Sequence, residues 1–193
     1  MLYLASQSPR RRQLLRQLRR SFRIVRSTHR ESIRRDLRPS ANAIRNAIGK
    51  ARCAQLPCGA RGLVIAADTF LYFRGQVIGK PKTMREARRL LSMLSGKSHW
   101  VYTGLCLRDV PTDRVRTSYE KTKVTFQSLA PATMTRVLAR VSPLDKAGGY
   151  AIQDDQSTLI ARIEGSRSNV IGLPLERLRR ELKACARHHR AKH

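Results

Sequence analysis

The chain has 193 residues, with 40 Lys and Arg against 13 Asp and Glu (formal net charge +27), 41% hydrophobic residues and only 5% aromatic ones. That length and apolar share support a packed core of one domain or two small lobes, and argue against a disordered basic tail. No apolar run approaches the ~18 residues of a membrane span, and four scattered cysteines without a C-x-x-C pair argue against a disulfide scaffold or structural zinc and fit a reducing cytosol.

Leu2–Ala5 reads as a short buried strand. Ser8 is a good N-cap, and Pro9 at the first helical position loses only an N–H that would go unpaired there anyway. Leu14, Leu15 and Leu18 then mark a helical stripe. Residues 1–30 hold nine Arg and no acid, the composition of a transit peptide, but the strand and cap pattern reads as folded protein. Ser40–Cys53 predicts a helix with Ala43, Ala47, Ile48 and Ala51 inward. Leu63–Ala67 is a continuous apolar run, a central strand ending at Asp68. Leu71–Phe73 and Gln76–Ile78 flank Arg74-Gly75 as a hairpin. Thr83-x-x-Glu86 is a capping box for a helix that Gly96 closes. Ser98–Leu107 and Val115–Phe126 alternate like half-exposed strands, and Pro131–Val141 and Pro174–Ala186 read as helices. The order is mixed α/β, without repeats, low-complexity blocks or linkers; residues from about 187 to 193 read as a basic tail.

Four stretches could carry chemistry. At Ser6-Gln7-Ser8-Pro9-Arg10-Arg11, a helix N-terminus offers free N–H groups beside hydroxyls and guanidiniums, a setting suited to phosphate; a capped surface helix with solvated Arg is the plainer reading. Asp68, followed by Thr69, stands at the carboxyl end of an apolar strand, where ligands gather in open α/β sheets. A carboxylate there can hold a divalent metal, take a proton from water, or simply begin a turn. Gly75-x-x-x-Gly79-Lys80-Pro81 is one residue short of a P-loop, and Pro81 replaces the magnesium-binding hydroxyl. Lys80 remains a point charge within reach of a phosphate. Asp145-Lys146-Ala147-Gly148-Gly149-Tyr150 allows close backbone approach, and Gln153 can read a base edge. The five histidines lack metal-ligand spacing, and no G-x-S-x-G or G-x-G-x-x-G occurs.

The charge leaves two readings open. Thirty-one Arg and nine Lys spread along the chain suit a nucleic-acid binder that releases counterions, or an Arg-rich coding bias on an ordinary fold. Against so many Arg, the Lys at 50, 80 and 146 mark places where a flexible point charge is wanted.

The ordered set of segments resembles the Maf family of nucleotide pyrophosphatases over roughly residues 2–175. It runs through Leu4-Ala5-Ser6-Gln7-Ser8-Pro9-Arg10-Arg11, Glu31, Lys50-Ala51, Ala67-Asp68-Thr69 and Gly79-Lys80-Pro81. It continues through Leu94-Ser95-Gly96 with His99, Thr103-Gly104, Asp145 to Tyr150, Ile152-Gln153 and Asn169-Val170 to Pro174. The resemblance implies an elongated mixed β-sheet flanked by helices, one domain of two lobes with a central cleft, and a homodimer in the cytoplasm. It implies hydrolysis of a nucleoside triphosphate between the α and β phosphates with a divalent metal, Mg²⁺ or Mn²⁺. By the same resemblance Asp68 accepts the proton, Glu31 and Asp68 hold the metal, and Ser8, Arg11, Lys50 and Lys80 bind the triphosphate with Lys146 in support. Arg10, Thr69 and Gln153 match the branch that cleaves dTTP and UTP, with modified pyrimidine triphosphates as an extension. The sister branch, acting on 7-methyl-GTP, carries Trp, Gln and Glu there. A neutral Gln suits an uncharged pyrimidine edge, whereas a carboxylate suits a cationic methylguanine. The role implied is clearing non-preferred nucleotides or slowing septum formation. Ser142, where the family carries Glu, and the extra Arg12, Arg19 and Arg20 depart from the pattern. The competing class is an Arg-rich nucleic-acid-binding protein on the same fold.

Overall fold

Four consecutive buried residues make Leu2–Ala5 the first strand, β1, and strands buried on both faces belong inside a parallel sheet. The computed structural model describes residues 1–140 and 156–190. After β1 come α1 (Pro9–Arg16), β2 (Phe22–Val25), α2 (Pro39–Arg52), β3 (Leu63–Phe73) and β4 (Gln76–Ile78). Then follow α3 (Met84–Leu94), β5 (Ser98–Asp109), β6 (Val115–Phe126) and α4 (Pro131–Arg140). The chain ends with α5 (Gln156–Leu159), β7 (Ile160–Glu164), α6 (Arg167–Ile171) and α7 (Leu175–Arg190). The architecture is mixed α/β: a seven-stranded mixed sheet in the order β2-β1-β3-β5-β6-β7, with β4 beside β3. β1 pairs in parallel with both β2 and β3, while β3–β4 and β6–β7 are antiparallel.

The chain divides into two compact units, Met1–Asp68 with Thr103–Glu120 and Gly172–His193, and Thr69–Tyr102 with Lys121–Ile171. In the first unit, Tyr3, Ala5, Val64, Ala66 and Cys106 of the strands pack against Ala47 and Ala51 of α2. The second unit centres on Leu90, Leu91 and Leu94 of α3, packed with Val101, Val124, Phe126, Val137 and Leu138. Each such buried leucine contributes about 1.5–3 kcal/mol over an exposed one. No helix among the described residues is long and apolar enough to cross a membrane.

Local signals mostly held. Ser8 caps α1 with Pro9 following, and β6 spans the predicted residues. Arg74 and Gly75, with φ of 48° and 81°, turn β3 into β4, which fits the primed two-residue turns that match strand twist. Two expectations need correction. β3 does not end at Asp68 but runs on to Phe73, because Thr69–Phe73 is rich in β-branched and aromatic residues and pairs with β4. Asp68 is therefore a mid-strand residue. The capping box of α3 is half formed: Thr83 accepts from the Glu86 N–H at 3.1 Å, but the Glu86 carboxylate takes the Lys82 N–H at 2.7 Å.

Candidate active site

The site in the first unit begins with how α2 meets the sheet. Ala43, Ala47 and Ala51 are fully buried, and three small side chains at i, i+4 and i+8 let the helix lie close. On β5 the facing residue is Gly104, where a Cβ would sit 2.2 Å from the Ala43 carbonyl carbon. The adjacent stripe, Asn42, Asn46 and Lys50, has the same spacing and is carried inside with it, at 0%, 1% and 7% exposure. Buried polar groups are costly unless bonded, and all three are bonded. Asn42 accepts the Arg34 N–H at 2.8 Å and donates to the Arg34 and Leu37 carbonyls at 2.8 and 3.2 Å, tying the preceding loop to the helix.

Asp68, 4% exposed, receives the other two. Lys50 Nζ donates to Asp68 Oδ1 at 2.7 Å and Asn46 Nδ2 to Asp68 Oδ2 at 2.8 Å. Lys50 also reaches Glu31 Oε1 at 2.6 Å and the Ala67 carbonyl at 3.2 Å, so all three ammonium protons are used. Burial pushes the Asp68 carboxyl up, but the charge and hydrogen bond of Lys50, the Asn46 hydrogen bond and the Arg11 charge outweigh it and hold the carboxyl below its ordinary value. Asp68 is thus a carboxylate at neutral pH.

The N-terminus of α1 supplies the cationic side. Ser8 Oγ accepts the Arg11 N–H at 3.4 Å, and Ser6 Oγ accepts the Ser8 N–H at 3.2 Å. The Arg11 guanidinium donates from Nε to the Gly172 carbonyl at 2.8 Å and from Nη1 to Ser6 Oγ at 3.3 Å. Burial pushes the Arg11 pKa down against the pull of Asp68 and Glu31; an arginine stays charged regardless. A guanidinium, an ammonium, two carboxylates and a helix N-terminus thus meet in one unit, a setting for a polyphosphate and its counter-cation.

The structure brings together Ser8, Arg11, Glu31, Lys50 and Asp68 of the predicted residues. Arg10 is half-buried on the first turn of α1 and Thr69 half-buried beside Asp68 on β3. Lys80 is exposed between β4 and α3 in the second unit. Lys146 and Gln153 lie outside the described residues. Sequence reasoning passed over Asn46, although two asparagines and a lysine at i, i+4 and i+8 beside an alanine stripe are a readable sign of a buried polar seam.

Glu31 and Asp68 fit a divalent cation of the magnesium kind. Both are hard oxygen donors, and both converge on one positive centre, the Lys50 ammonium. Ions of this kind are commonly held by one or two carboxylates together with phosphate oxygens and water.

Comparison with known proteins points the same way. The Maf-like protein family matches residues 1–185. The chain is similar to the dTTP/UTP pyrophosphatase of Moorella thermoacetica, 42% identical over 174 residues that cover 90% of this chain and 89% of the relative. It is 41% identical over 180 residues to the protein of that name from Caldicellulosiruptor bescii, covering 92% and 90%. With the one from Bacillus cereus strain AH187 it shares 39% over 182 residues, 94% of each chain.

Proposed function

Because this chain belongs to the Maf-like family, we propose that it is a nucleoside triphosphate pyrophosphatase acting on dTTP and UTP. Water attacks the α-phosphorus, the bond to the bridging oxygen between the α and β phosphorus atoms breaks, and the monophosphate and pyrophosphate leave. Asp68 takes the water's proton. The observation that carries this reading is the Asp68 carboxylate, buried yet held ionised by Lys50, Asn46 and Arg11. A group already deprotonated at neutral pH can act as acceptor without first losing a proton.

The cations supply the electrostatics. The Arg11 guanidinium and the Ser8 hydroxyl take phosphate oxygens, and Lys50 adds charge between the two carboxylates it holds. By the family resemblance alone, Lys80 and Lys146 also bear on triphosphate binding, and Arg10, Thr69 and Gln153 select the pyrimidine. The family is metal-dependent. Glu31 and Asp68 would hold the ion, which when bound stabilises charge on the phosphate oxygens; magnesium or manganese suits this oxygen donor set. A cytoplasmic homodimer belongs to the same reading.

The test is pyrophosphate release from dTTP, UTP, the other canonical triphosphates and 7-methyl-GTP, with Mg²⁺, with Mn²⁺ and with chelator. Asp68→Asn should lose about 100-fold or more in kcat. Absence of pyrophosphate release, or an Asp68→Asn variant with unchanged turnover, overturns the assignment; a preference for 7-methyl-GTP overturns the branch. The charge favours one further association. Thirteen acidic side chains cannot neutralise 40 basic ones, so nucleic acid is a second ligand class. Binding that persists at physiological salt with a steep salt slope supports it, and binding gone by moderate salt does not.

A further inference from the structure

We propose that Asn46 is the positioning residue of this site, holding the Asp68 carboxylate and the Glu31 segment in one geometry through the two ends of a single buried amide. The inference rests on the pyrophosphatase reading and deepens it. The Nδ2 end donates to Asp68 Oδ2 at 2.8 Å. The Oδ1 end accepts the Ser32 N–H at 3.3 Å and lies 3.5 Å from His29 Nε2. Ser32 follows Glu31 directly, so one side chain ties together the two carboxylates that also share Lys50. The amide has no alternative orientation of equal energy. Turned over, it would set its NH₂ against an N–H and its oxygen against a carboxylate.

His29 reinforces this from behind. With a proton on Nε2 the imidazole donates to Asn46 Oδ1. The ring lies on α2 at Gly49, where a Cβ would fall 2.3, 2.4 and 2.6 Å from three ring atoms. A mid-helix glycine costs about 1 kcal/mol relative to alanine. The space it leaves is the space the His29 ring occupies. The order of action is Gly49, then His29, then Asn46, then Asp68.

Two variants separate this chain of contacts from general stability. Asn46→Leu keeps the volume and removes both ends of the amide. Gly49→Ala favours the helix and dislodges only the His29 ring. In pyrophosphate release from dTTP, Asn46→Leu should lower kcat about tenfold or more and leave KM within about threefold. Gly49→Ala should lower kcat about threefold, and that loss should vanish when it is added to Asn46→Leu, because both act through one amide. In ¹⁵N-labelled protein the Asn46 side-chain amide pair, identified by its loss in Asn46→Leu, should move in both Asp68→Asn and Gly49→Ala. A wild-type protein that releases no pyrophosphate while the amide shifts appear overturns the reaction and leaves the contacts standing. An active wild type whose Asn46→Leu variant keeps its kcat, or in which the two losses add, overturns the role of Asn46. So does an amide pair indifferent to both neighbours, whatever the activity.

Discussion

Replacing Lys50 by methionine removes the ammonium that Asp68 and Glu31 share and keeps most of the apolar stem. Asp68 would remain buried, with the Asn46 amide and the Arg11 charge but without its principal counter-charge. Removing one partner of a buried ion pair costs about 3–5 kcal/mol. The Glu31 contact adds within about 1 kcal/mol, because that side chain is 46% exposed and its charge is screened. For a chain of this size a loss of about 3–6 kcal/mol lowers the melting midpoint by roughly 6–24 °C. The sign of the pH dependence follows from the same contacts. In the wild type the Asp68 pKa is lowered, so its contribution is present above the ordinary value of 3.8 and is lost as the pH falls through the folded one. In Lys50→Met, burial acts without the lysine to oppose it, the carboxyl binds its proton more readily when folded, and acid relieves the penalty. The gap between the two proteins should be widest at pH 7 and should narrow steadily toward pH 3. Thermal melts by circular dichroism and urea titrations at pH 7, 5 and 3.5 measure it. A gap under about 1 kcal/mol at pH 7, or one that does not change with pH, refutes the reasoning.

Three further outcomes are expected. His99 is buried against Phe126, ring centroids 5.0 Å apart, and burial lowers its pKa from 6.5 to about 4. The unfolded imidazole binds a proton first, so stability is full above 6.5 and falls by roughly 3 kcal/mol as the pH drops to about 4; His99→Gln should flatten that part of the urea-measured profile, and an unchanged slope would remove His99 as its cause. Ser8→Ala loses the N-cap of α1 and should cost about 1 kcal/mol, read as a drop in the melting midpoint. Arg11→Lys replaces a fork bonded to Gly172 and Ser6 by a single point charge. It should raise KM for dTTP about tenfold with a smaller change in kcat; an unaltered KM in initial-rate assays argues against Arg11 as a phosphate ligand.

The site was legible in the sequence where chemistry shows in a local pattern. Ser8-Pro9 announces a capped helix, because the cap bonds an N–H only three residues away. Asp68 beside an apolar run, and Lys50 amid so many arginines, stand out by residue type, and the structure pairs the two at 2.7 Å. Glu31 came from the family pattern alone, since nothing near it marks a metal ligand or an ion-pair partner. Asp68 was placed at a strand end because a buried mid-strand carboxylate is improbable until its partners are known. Its partners come from a helix 18 and 22 residues earlier.

By itself the order of residues determined the α/β class, most strand and helix positions, and the prominence of Asp68 and Lys50 as candidates. These depend on hydrogen bonds and apolar periodicity within a few residues along the chain. Tertiary structure alone decided that Lys50 spans Glu31 and Asp68, that Asn46 faces inward, and that Gly49 makes room for His29. Each of those is a contact between segments well apart in sequence, set by how closely an alanine-lined helix can press against a strand that carries Gly104. That closeness is a property of packing, which no local propensity encodes.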